Sequence, residues 1–203
     1  MVLPAFNANS LRMRLAKLDS GKQLALGAVT CERLLPNYAA FQKDTGWGDV
    51  ALLRKALDFV WSSIGSESID AQVIRSIAAS IETVTPDSED YETVYADLAQ
   101  DACLCVLNLL DFLSKKDVDQ IIYALTYATD SVDLYVQEIE SMDPNDPELE
   151  QKILNHRLMQ RELVQQEKNL VDIERASVLS PAFLNALKAS WKNEGKSNLD
   201  LPS

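Results

Sequence analysis

The stretch VDQIIYALTYATDSVDLYVQEI, residues 118–139, decides the fold. Val118, Ile121, Ile122, Leu125, Val132, Tyr135, Val136 and Ile139 return at three- and four-residue intervals, which places them along one face of an α-helix. Asp117, Gln120, Asp130, Asp133, Gln137 and Glu140 fall mostly outside that stripe. A half-buried strand would instead alternate every second residue, and no stretch of the chain does so between turn signals.

Working outward, the same signature recurs. Toward the N-terminus, Ala102 to Leu113 is apolar nearly all round, as a helix buried at the centre of a bundle must be, and it defines a central element at about 90–113. Ile69, Val73, Ile77, Ile81 and Val84 form a shorter stripe with Asp70 at its start, and Leu53, Ala56, Leu57, Val60 and Ile64 form another opened by Asp49. Gln23 to Leu35 reads as a helix that Pro36 breaks or kinks, because proline removes a donor and crowds the preceding turn. On the C-terminal side, apolar pairs from Leu149 to Val171 give a helix of about seven turns. Ser180-Pro181 opens a last helix that runs to about Glu194 and stops at Gly195. The expected architecture is all-α: a single domain over residues 1–203, a bundle of about seven or eight helices.

Composition narrows the function classes. The 203 residues are 47% hydrophobic and 25% charged, values at which a chain builds a core without structural metals or cross-links. The start of the chain lacks the basic, apolar and small-residue succession of a secretory leader, and the three cysteines sit in apolar runs; reduced thiols in a cytoplasm are therefore expected. The most apolar run, Ala102–Leu110, is less than half the roughly 20 residues a membrane-spanning helix needs. Net charge is −12 and unevenly held: +3 over residues 1–60, −17 over residues 61–150 and +2 over residues 151–203. A grip on nucleic acid or an anionic membrane needs clustered Lys and Arg, so both partners are excluded. The acidic middle reads as a solvated face that maintains solubility, or as a docking surface for a basic protein partner or divalent cations.

Catalytic motifs are sparse. The sole histidine, His156, has Ile153 three residues before it, so the Glu-x-x-His pair of di-iron bundles is absent. Cys103 and Cys105 stand two apart and project to different sides of a helix, which favours packing over chelation. No nucleophile elbow, phosphate-loop lysine or dinucleotide glycine fingerprint occurs. No catalytic residue, metal ligand or cofactor is assigned. Asp97, Asp101, Asn108 and Asp111 recur on one side of the central helix, facing either solvent or a cleft; a buried Asp101 would need a partner such as Arg33.

The remaining signal lies around Pro36. The kink reorients Glu32, Arg33, Asn37, Tyr38 and Trp47 into either a pocket lining or a rigid joint packed by Tyr38, Phe41 and Trp47, with Gly46-Trp47-Gly48 as the turn and Asp49 as the next cap. The run Cys31-Glu32-Arg33-Leu34-Leu35-Pro36-Asn37-Tyr38, continued through Phe41 to Thr45-Gly46-Trp47-Gly48-Asp49, resembles the signature segment of the YjaG-like bacterial family, domain of unknown function family 416. Asp101-Ala102-Cys103 and Gly195-Lys196-Ser197-Asn198 are similar to it too, and the resemblance covers nearly the whole chain. It implies a bacterial, cytoplasmic, all-helical protein, and brings no catalytic residues to carry over. Two functions stay open: a non-enzymatic interaction module or homo-oligomer, and a small-ligand- or metal-binding protein or enzyme with its site between the Pro36 kink and Asp97/Asp101.

Overall fold

The computed structural model describes residues 6–66, 68–191, 193 and 195–202, and among these no strand occurs. Among the described residues nine α-helices follow one another: α1 (Ala8–Leu15), α2 (Ser20–Thr45), α3 (Val50–Ser62), α4 (Ala71–Glu82), α5 (Val94–Lys115), α6 (Val118–Ile139), α7 (Leu149–Asn155), α8 (Arg157–Arg175) and α9 (Pro181–Lys188), with a 3-10 turn at Ser88–Asp90. The all-α expectation holds, and the central helix is α5, sandwiched most closely between α2 and α6. Among the described residues, no helix is long and apolar enough to cross a membrane.

Local chemistry sets most boundaries. The side chains of Asp49, Asp70, Asp117 and Ser180 each accept a hydrogen bond from a backbone N–H in the first turn of the helix they open. These caps satisfy donors that have no partner inside the helix. At the other end of α2, Gly46 takes φ +71, a left-handed conformation that terminates a helix at little cost only for glycine.

The apolar stripes bury into two adjoining cores. The larger gathers Leu24, Leu26, Val29, Leu34 and Phe41 from α2, Leu53, Leu57 and Val60 from α3, and Val106, Leu109 and Phe112 from α5. The smaller joins Leu98 to Val132 and Val136 of α6, Ile153 of α7, Leu158 and Leu163 of α8, and Leu199 and Leu201.

Four expectations need correction. First, Pro36 does not end α2, which continues to Thr45. Part of the disturbance is met from outside the helix: Arg33 O accepts a hydrogen bond from Asn198 N, 3.2 Å away. Second, the seven-turn helix from Leu149 is two helices divided at His156. This residue is extended, with φ −66 and ψ 142, and caps α8 with its own imidazole: Nδ1 accepts from Leu158 N. Third, α9 stops at Lys188 rather than near Glu194; residues 192 and 194 lie outside the described ones. Fourth, two of the three thiols are not free. Packing of α2 against α5 brings Cys31 and Cys105 to a Cα separation of 6.1 Å, and they are joined as a disulfide. Cys103 stays free and buried, its thiol pushed up to about 12 by burial.

Candidate functional site

The seven residues singled out from the sequence fall into four separate places. Successive positions on α2 point in different directions, so Glu32 and Arg33 part company at once. Glu32 turns toward α3 and α9. Its carboxylate accepts from Arg54 at 2.7 and 2.9 Å and from Trp61 Nε1 at 2.7 Å, with Lys188 Nζ 3.2 Å away.

Arg33 turns inward, where it and Glu162 of α8 are 0% exposed. Its guanidinium donates to both carboxylate oxygens, at 2.5 and 3.1 Å, and Nη1 donates to Val29 O. Gln166, one turn along α8, donates to Glu162 at 2.9 Å and to Leu125 O at 3.1 Å, tying the pair to α6. The Trp191 ring lies against the cations of Arg33 and Arg161, 5.7 and 5.3 Å from its centre. Asn37, one turn beyond Arg33, donates to Asn198 Oδ1, and Asn198 donates to Ala128 O. Nearby, burial works against the Asp200 carboxylate, but Asn193, Arg157 and Arg161 together hold it well below the ordinary carboxylate range.

Tyr38, Trp47 and Asp49 do meet. The Tyr38 hydroxyl donates to Val84 O at 2.6 Å and accepts from Asp49 N at 3.0 Å, so one phenol fastens α2 to the start of α3 and the end of α4. Burial pushes it up to about 12. Phe41 packs edge-on against Tyr38, Trp47 and Tyr91, with centroids 5.0–6.2 Å apart. Gly48, at φ +97, passes so near that a Cβ there would sit 2.5 Å from the Tyr38 oxygen. This is the geometry of a joint.

Asp101 lies elsewhere, between α5 and α6. The Ser131 hydroxyl donates to it at 2.8 Å, whereas Arg33, the partner expected from sequence, is taken by Glu162. Burial, reinforced by Asp130 and Asp97, raises Asp101 to about 7 against the ordinary 3.8; the Ser131 bond works the other way. Asn108 and Asp111, on the same helix, line a cleft of about 280 Å³ that α5 floors. Its walls come from α4, with Ala78 and Glu82, and from α6, with Tyr127. Two further clefts, of about 270 and 250 Å³, share Phe6 and Leu163. None of the seven residues named from the sequence (Glu32, Arg33, Asn37, Tyr38, Trp47, Asp49, Asp101) lines these three clefts. Among the described residues, no three His, Cys, Asp or Glu side chains are grouped to hold a metal ion.

Sequence reasoning missed Glu162, Gln166 and Asn198. A signal for the first two existed: they fall in phase with Leu158, Leu163 and Leu170 on the buried side of α8, where an apolar stripe has no use for a charge.

Two of the three segments that carried the resemblance, around Arg33-Asn37 and Ser197-Asn198, thus meet in one buried polar cluster. The comparisons agree with that resemblance. The family described as "Protein of unknown function (DUF416)" matches residues 10–201, and the chain belongs to it. Among its relatives, the "Uncharacterized protein YjaG" of Salmonella typhimurium strain LT2 is 27% identical over 197 residues, 95% of this chain and 96% of the relative. The protein of the same name from Escherichia coli K12 is 26% identical over the same shares. A crystal structure of a DUF416 family protein from Shewanella baltica OS155 superimposes with a TM-score of 0.84 at 25% identity, covering 94% of this chain and 97% of that one.

Proposed function

We propose that the chain is a non-enzymatic interaction module that binds a basic protein partner through its acidic middle. The observation that carries this reading is the charge of residues 61–150, where three basic side chains face twenty acidic ones. Eight of the twenty acids lie on α4, α5 and α6, and α6 also carries exposed apolar groups, Tyr123 at 50% and Leu134 at 38%. A field of one sign speeds encounter with the opposite sign, and exposed aromatic rings supply contact area. The residues around Pro36 fit a supporting role, since Glu32, Arg33, Asn37 and Tyr38 each fasten α2 to another part of the fold.

Light scattering together with capture from a bacterial lysate tests the reading. A defined protein retained at low salt and released by high salt is expected. A strict monomer that retains nothing at either salt overturns it.

We take the compartment to be the cytoplasm, where disulfides are rare because glutathione keeps thiols reduced, and burial of Cys31 and Cys105 shields this one. Protein alkylated at lysis and then denatured is expected to show one blocked cysteine, Cys103, and an intact Cys31–Cys105 bond. Cell fractionation is expected to recover the chain with cytoplasmic markers, and recovery in a periplasmic or secreted fraction overturns the reading.

A further inference from the structure

We propose that the cleft between α4 and α6, floored by α5, is the docking groove for a basic amphipathic helix of the partner protein. The proposal rests on the interaction-module reading and assigns it a surface.

The groove has the three elements such recognition uses. Its floor and walls are apolar where a side chain would enter: Leu104 and Leu107 lie below, Ala78 on one side and the Tyr127 ring on the other. The small Ala78 leaves the opening, and about 280 Å³ accommodates one or two large aliphatic side chains. Second, the α6 wall continues past the cleft as an apolar edge. Tyr123, Tyr127 and Leu134 are spaced four and seven apart, so they lie along one face of the helix over about three turns. Tyr123 and Leu134 are the exposed members of that edge. A guest helix that places a residue in the cleft has a rail of matching length to lie against.

The third element is charge. Asp130 falls on the same edge of α6, Glu82 lines the α4 wall, and Asp97 extends the acidic side of α5. The three basic residues of the region do not cancel this. Lys115 neutralises Asp111, Arg75 lines the α4 side of the cleft and keeps its charge beside the neutral Gln72, and Lys116 sits over the Phe112 ring at the α5 end, so the rim stays acidic through Glu82, Asp97 and Asp130. Lysines and arginines flanking an apolar stripe complement this rim, whereas a nucleic-acid backbone would be repelled by it.

The probe is a synthetic helix of about 14 residues, Leu and Lys only, with leucines at i, i+3, i+4 and i+7, titrated into the full chain by calorimetry. Its controls are a peptide of the same composition with leucines scrambled and one with Glu in place of Lys. Tyr127→Lys and Asp130→Lys are expected to weaken the amphipathic peptide by about tenfold or more, while Asp44→Lys, which matches the charge change of Asp130→Lys on exposed α2 surface, leaves it unchanged. Equal weakening by Asp44→Lys, or none from the groove variants, overturns the groove and leaves the interaction module standing. A doubling of mass that blocks the peptide would assign the groove to a second copy of this chain, which also overturns the proposal. If folded protein binds no peptide and captures nothing from lysate, the groove and the reading beneath it both fall.

Discussion

Replacing Arg33 with methionine is expected to destabilise the protein by about 3–5 kcal/mol, read as a lowered denaturant midpoint at unchanged slope. The guanidinium and the Glu162 carboxylate are both sealed from water. Their attraction is set against the cost of removing two charges from solvent, and that balance alone makes such a pair a weak source of net stability. Asymmetric removal is another matter. With Arg33 gone, Glu162 keeps Gln166 as a donor but loses the cation paired with it, and a carboxylate left in the interior must ionise at high cost or take up a proton. Glu162→Leu mirrors the defect by stranding Arg33, whose remaining bond is to Val29 O. The double variant Arg33→Met/Glu162→Leu is therefore expected to recover most of the loss. Single variants that cost under about 1 kcal/mol would mean water reaches the pair.

Asp101→Asn is expected to raise stability at pH 8 by about 2 kcal/mol and to change it little at pH 4. The folded-state carboxyl titrates near 7 instead of 3.8, so the group is neutral in both folded and unfolded chains at low pH, and its favourable burial is then fully present. As pH rises past 3.8 the unfolded chain ionises first, and stability falls until the folded form also loses its proton near 7. A shift of that size corresponds to about 4 kcal/mol, reduced to about 2 by the open edge of the carboxyl. The facing groups are Asp97 on its own helix and Asp130, Ser131 and Tyr127 on α6; among them no cation relieves the cost. The amide still accepts from Ser131 and carries no charge. Urea titrations of parent and variant at several pH values test this, and profiles that run parallel from pH 4 to 8 would rule it out.

Much of the helical framework was readable because its causes are local. Asp49, Asp70 and Ser180 cap the helices they were expected to open, and the 118–139 stripe became α6 with Ile121, Ile122, Leu125, Val132 and Val136 buried. Failures follow where the cause is not local. Helix α1 buries only Leu11 and Leu15, too few to set a period. The break at His156 depends on an imidazole acting as a cap, a role usually taken by Ser, Thr, Asp or Asn. In α4 the expected stripe holds at Ile77 and Ile81, with Ile69 and Val84 packed beside the core, but Ile74 takes the buried place expected of Val73, which is 41% exposed. For the site, the aromatic and glycine content of 38–49 was enough to suggest a joint. The partners of Arg33 and Cys31 stand 129 and 74 positions away, and helical periodicity carries no information about which face meets which.

The hydrogen bonds from Asn198 to Arg33 O and Ala128 O have a consequence for biosynthesis. Residues that leave the ribosome some 165 positions after Arg33 complete the cluster that Arg33 begins. Until they arrive, the Arg33 and Ala128 carbonyls lack these donors, and Leu199 and Leu201 are missing from the smaller core. The earlier helices can associate as they appear, but the finished packing waits for translation to deliver the closing segment, and a nascent chain stalled before it stays open to chaperones and proteases.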